Sequence, residues 1–150
     1  MDTYRHLRAV ALMCGMGLFS AACAAAGTNG AGDITKNPPP GENFKPVSEL
    51  TALPDYLPGM GSLYVDPATL PVGPFLGYDR NGELVNITYM VPLAAMEDKQ
   101  PFDGLGAELP GIEVDHTDLA YNPGHPGVEE PHYHIVQWLI SHDEQQQRMK

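Results

Sequence analysis

Cysteine is almost absent. Two occur in 150 residues, Cys14 and Cys23, and both stand near the start. A domain that begins after them has no disulfide, no thiolate metal ligand and no thiol nucleophile. Cysteine-rich zinc sites are excluded there, and any staple must come from packing or from a metal. Basic residues are scarce too. Only 8 Lys and Arg stand against 19 Asp and Glu, for a net charge of −11. That balance excludes the basic patch nucleic-acid binding needs, and it disfavours electrostatic attachment to anionic lipid. It suits a soluble exported protein and concentrates cations at the surface. Also missing are a phosphate-binding glycine loop, a dinucleotide fingerprint and a serine-nucleophile motif, so those reaction classes leave no signature.

What is present divides the chain. Arg5 and Arg8 precede an uncharged apolar run over residues 9–19 and a small-residue stretch over 20–27. This is the layout of a secretory signal peptide, and the run is too short for a spanning helix. Residues 1–26 read as that signal peptide, with two exits. Cleavage follows an Ala-x-Ala site such as Ala24-Ala25-Ala26, or Cys23 is lipidated. Leu18-Phe19-Ser20-Ala21-Ala22-Cys23 resembles a bacterial lipoprotein box, with Ser20 at a place usually aliphatic. The lipidated exit is the one expected, which places the protein in the periplasm or on the outer face of the envelope. Membrane contact is then through the lipid alone.

Residues 27–46 read as a flexible linker stiffened by Pro38-Pro39-Pro40-Gly41. Residues 47–150 read as one β-rich domain. Ser48 can cap a single helical turn that Pro54 stops. Strands are expected at 62–66, 75–79 and 83–91, the last two joined as a hairpin by Asn81-Gly82. Along 83–91, Val85, Ile87, Tyr89 and Val91 share one face by alternation, and Leu84, Asn86, Thr88 and Met90 the other. A helical turn follows at 92–98. Residues 111–120 read as a strand with Ile112, Val114 and His116 on its apolar face. Residues 131–140, apolar on both faces, read as a central strand, and the polar tail from Ser141 as a frayed helix. Short strands and 15 prolines point to a mostly β fold, a small antiparallel sandwich or open barrel with short helical turns. A core this small gains from a bound metal or from homo-oligomerisation.

Four of the six histidines, His116, His125, His132 and His134, fall within 25 residues among acidic groups. On a strand, His132 and His134 point to the same face with Cα atoms roughly 6–7 Å apart, and two imidazoles so placed can converge on one ion. His125 sits in a Pro/Gly-constrained loop that folds back as a third ligand. His116 is a candidate fourth ligand, and Glu129 or Glu130 a candidate carboxylate ligand or base. Imidazole ligation fits zinc or copper and not magnesium or calcium.

The motifs also resemble a family. Gly111-Ile112-Glu113-Val114, Gly124-His125-Pro126 and Pro131-His132-Tyr133 are similar to the TTHB-like domain of unknown function, found in small exported bacterial proteins. Met60-Gly61-Ser62-Leu63-Tyr64-Val65-Asp66-Pro67 resembles that family's upstream Met-Gly-x-His-Tyr-x-x-Pro segment. Here His134 and Val136 replace the Asp and second His of the family's Pro-His-Phe-Asp-x-His, and Leu63 replaces a His. The resemblance implies a β-rich fold and an association with envelope stress, but no activity. His132-x-His134 also resembles half of a cupin metal motif, without its Glu, where Gln137 stands, and without its glycine-rich continuation. Three readings stay open: a metal-binding envelope domain, a metal-dependent hydrolase or cupin-like enzyme, and an interaction domain with structural histidines.

Overall fold

The structure is a computed structural model that describes residues 33–106, 109 and 111–150. The segment read as a signal peptide, and Cys23 with it, lies outside them. The expectation of a mostly β antiparallel fold is met, with six strands in one open sheet: β1 (Lys45–Pro46), β2 (Ser62–Val65), β3 (Phe75–Tyr78), β4 (Leu84–Pro92), β5 (His116–Asn122) and β6 (His132–Trp138). Their order is β1-β2-β3-β4-β6-β5, all neighbours antiparallel. Among the described residues three short α-helices, α1 (Val47–Leu50), α2 (Leu93–Glu97) and α3 (His142–Arg148), and one 3-10 turn (Pro67–Thr69) accompany them. The layers over the sheet come from these helices and from loops.

β4 is the centre. Val, Ile, Thr, Tyr and Met suit a pleated ribbon, and its first eight residues are buried. The hairpin at Asn81-Gly82 forms as expected, but as a three-residue loop. Asp79 N–H bonds to Glu83 O at 2.9 Å and Gly82 takes φ +74°, the left-handed position such loops reserve for glycine. Next to it the register slips: Gly77 faces Asn86 while Tyr78 faces Leu84. Val85 is the extra residue of this bulge. The simple alternation is therefore corrected at this end. Leu84 packs with Ile87 and Tyr89, whereas Val85 joins Val136 and Trp138 on the opposite face. A bulge adds one residue to one strand and inverts the facing of everything beyond it.

Both faces are covered. Leu76, Tyr78, Ile87 and Tyr89 meet Phe44, Val72, Leu105 and Ile112 from loops. On the other face Val65, Phe75 and Met90 meet Val47 of α1, Leu53 and Val128. Full burial of a side chain such as Leu76 or Ile87 stabilises by roughly 1.5–3 kcal/mol. The segment read as linker makes contact from residue 33 onward. Thr35 O accepts Leu84 N–H at 2.8 Å, Asn37 N–H reaches Gly82 O at 2.9 Å, and buried Tyr78 donates its hydroxyl to Ile34 O at 2.7 Å. β5 starts later than expected. Residues 111–115 carry no strand, Val114 is exposed, and β5 is one edge of the sheet.

The tail is an ordered helix. Ser141 and Glu144 form a reciprocal capping box, Met149 is buried against Val85 and Trp138, and Arg148 reaches Asp79 at 2.7 Å and Glu83 at 2.8 Å. Burial alone would raise the Asp79 pKa. The hydrogen bonds from Glu83 N–H, Arg148 and Asn81 N–H more than offset it and hold the carboxyl below its ordinary range.

Candidate metal centre

β6 carries the site on its first three residues. In register, His132 lies between Pro92 of β4 and Asn122 of β5, and His134 between Met90 and Ala120. Positions i and i+2 of one strand place both imidazoles on one face, as expected. Their Nε2 atoms are 2.9 Å apart. His132 is fully buried and its Nδ1–H donates to Glu130 O at 2.7 Å. A carbonyl can only accept, so that bond assigns the tautomer and turns the Nε2 lone pair toward His134.

The third histidine comes from the β5–β6 loop. His125-Pro126-Gly127-Val128 is a tight turn closed by Val128 N–H to His125 O at 3.0 Å. Proline at its second position and Gly127 at its third, φ +91°, are the residues a type II turn requires. Asn122 Oδ1 accepts Gly124 N–H at 2.9 Å. Gly124 has φ +128°, and a Cβ there would collide with Glu129 O. The loop therefore folds back closely enough to set the His125 ring centroid 4.9 Å from that of His132 and 5.6 Å from that of His134. Its Nδ1–H donates to Pro126 O at 3.1 Å, which again leaves Nε2 as the free donor atom. One nitrogen from each of the three histidines lies within 4.8 Å of the others, a group that could hold a metal ion.

Electrostatics favour that role. The His134 pKa falls to about 4, first through burial and then through the neighbouring His132 and His125 imidazoles. At neutral pH it is uncharged, the form a metal binds. His125 and His134 line an apolar cavity of about 290 Å³. His132 lines a second, of about 410 Å³, with the loop over residues 127–130.

The other candidates are placed elsewhere. His116 pairs in register with Trp138 at the far end of β6, four to six residues from the cluster, or more than about 13 Å at 3.3 Å per residue. Its ring stacks on Trp138 at 6.2 Å and its Nδ1 meets Asp115 at 2.8 Å. Glu129 and Glu130 have exposed side chains and belong to the site through their backbone carbonyls. Sequence reasoning missed Asn122 and the carbonyls of Pro126 and Glu130, which aim the ligands. The Asn-Pro-Gly-His-Pro-Gly run was the available signal for the first two.

Comparison with solved structures gives a relative with this core. The chain is similar to the crystal structure of hypothetical protein TTHB210 from Thermus thermophilus, with 44% identity, a TM-score of 0.58, and coverage of 65% of this chain and 93% of that one. The chain belongs to the TTHB210 family. The resemblance read from the residues thus agrees with an uncharacterised relative. No family model and no curated protein matches the chain. Membership of the TTHB210 family brings a fold and no activity, so the chemistry of this member has to be argued from its own side chains.

Proposed function

We propose that the protein is an exported, lipid-anchored β domain of the cell envelope that holds one divalent transition metal, zinc or copper, through His125, His132 and His134. The observation that carries this reading is the convergence of three imidazoles with two Nδ1 positions already committed to backbone carbonyls. Three imidazole nitrogen donors on a rigid strand and a tight turn suit a borderline or soft cation, and leave one position open. The surplus of acidic residues supports cation capture. Export and the anchor rest on residues 1–26 and Cys23.

Binding is favoured over hydrolysis. A hydrolytic centre needs a base beside the metal-bound water, and the exposed Glu129 and Glu130 carboxylates stand outside the group. The test is elemental analysis of the untagged protein, purified after export, beside a His132→Ala/His134→Ala double variant. Near-stoichiometric zinc or copper in the parent and none in the variant supports the site. No metal in either, with melting unchanged by added zinc or copper, refutes it.

A further inference from the structure

The cavity beside His125 and His134 has a composition that the metal alone does not explain. Its wall is built almost entirely of aliphatic and aromatic carbon, including Val65, Leu53, Phe75 and Met90. Polar groups reach it at few places. They are the ligand histidines His125 and His134, Asn122, whose Oδ1 already accepts Gly124 N–H, Thr88, whose hydroxyl already bonds to Asn86, and Thr51. The Thr51 hydroxyl is buried without a hydrogen-bond partner, and the side chain abuts Gly127 in the turn that carries His125. An unsatisfied buried hydroxyl is costly unless something else completes it. Among the described residues no Lys or Arg lines the cavity, so the positive charge available there to an occupant is a cation held by the histidines.

These features define a ligand. It must be apolar over most of its length, and must carry one polar end that ligates a metal and accepts a hydrogen bond. We propose that the cavity binds a medium-chain carboxylate. One carboxylate oxygen fills the position the three imidazoles leave open, the other accepts the Thr51 hydroxyl proton, and the alkyl chain lies along Leu53, Val65, Phe75 and Met90. A cavity of about 150 Å³ takes a benzene, and about 290 Å³ here takes a chain of roughly ten carbons on the same scale. The inference rests on the metal reading above and adds the ligand class of the same centre.

The test is calorimetric titration of sodium decanoate into the exported chain carrying Cys23→Ser, purified without a histidine tag. It is run zinc-loaded and after metal removal, with zinc content measured in every sample. Leu53→Trp fills the cavity from a half-buried position outside the sheet, and Thr51→Val removes the hydroxyl at constant size. The expected result is one decanoate per zinc-loaded chain, binding weaker by about tenfold or more without zinc and by about tenfold in Thr51→Val, and absent in Leu53→Trp with zinc retained. Zinc bound without decanoate uptake overturns the inference and leaves the metal site standing. Uptake that Leu53→Trp does not reduce overturns the cavity as its place. Absence of zinc from the parent refutes the metal reading, and decanoate binding that persists in that sample overturns the metal as its anchor.

Discussion

The Nε2 atoms of His132 and His134 stand 2.9 Å apart on one face of β6. Two lone pairs cannot share that space unoccupied, so a proton or a cation must lie between them. His125 approaches from the loop and faces both rings. A proton satisfies one pair, whereas a metal satisfies all three nitrogens. The testable consequences of the metal-centred account follow from that difference.

Metal should stabilise the fold, because the native state assembles the site and the unfolded chain does not. At free zinc about 100-fold above Kd the gain is ~2.7 kcal/mol, or roughly 10 °C in melting temperature for a domain of this size. Differential scanning calorimetry with and without chelator reads it. Equal melting in both conditions contradicts the account.

Gly124→Ala should loosen the third ligand. Its φ of +128° and the nearby Glu129 carbonyl leave no room for a Cβ, so the loop has to move, at a local cost of about 1–3 kcal/mol. Competition with a chromophoric chelator is expected to show zinc affinity lower by roughly tenfold or more. Circular dichroism of the sheet should be unchanged, since no strand contains residue 124.

His116→Ala should leave metal content intact. His116 stacks on Trp138 at the opposite end of β6, and its loss is expected to cost about 1 kcal/mol of stability through packing alone. Urea unfolding and metal analysis of one sample separate the two effects. Loss of metal from this variant would enlarge the ligand set.

Arg148→Met should destabilise by about 2–3 kcal/mol, at or below the lower end of the range for breaking a buried pair because the guanidinium is partly exposed. The effect depends on pH with a definite sign. The Asp79 carboxyl is held below its ordinary pKa of 3.8, so the native state binds fewer protons there than the unfolded chain. The stabilisation is complete above the unfolded value and is lost as pH falls through the lower folded one. The gap between parent and variant should therefore be widest above about pH 4 and close on further acidification, as followed by urea midpoints.

Much of this was legible where the signal is local. Asn81-Gly82 marks a hairpin because only its own backbone angles matter, and His132-x-His134 marks a shared face because strand geometry has period two. The bulge at Val85 was not legible, since a register slip is a property of two strands together. The strand expected over 111–120 follows from Ile112 and Val114 alternating, yet pairing with β6 decides where β5 begins and starts it at His116. The same register sets His116 opposite Trp138, away from the cluster. The final helix was expected as a frayed tail, and it is its anchoring that was not legible. Its anchors, Asp79 and Glu83, lie 69 and 65 residues before Arg148, although Ser141-x-x-Glu144 already spelled a capping box. The cavity had no sequence signal, because its wall is drawn from α1, five strands and the His125 turn at once.

X-ray absorption at the zinc edge of the loaded protein tests the central claim most directly. The account predicts three imidazole nitrogens at about 2.0–2.1 Å with one further light-atom ligand, and loss of the imidazole scattering pattern in the His132→Ala/His134→Ala variant. A shell of oxygens in octahedral geometry, or a spectrum the double variant leaves unchanged, would contradict it.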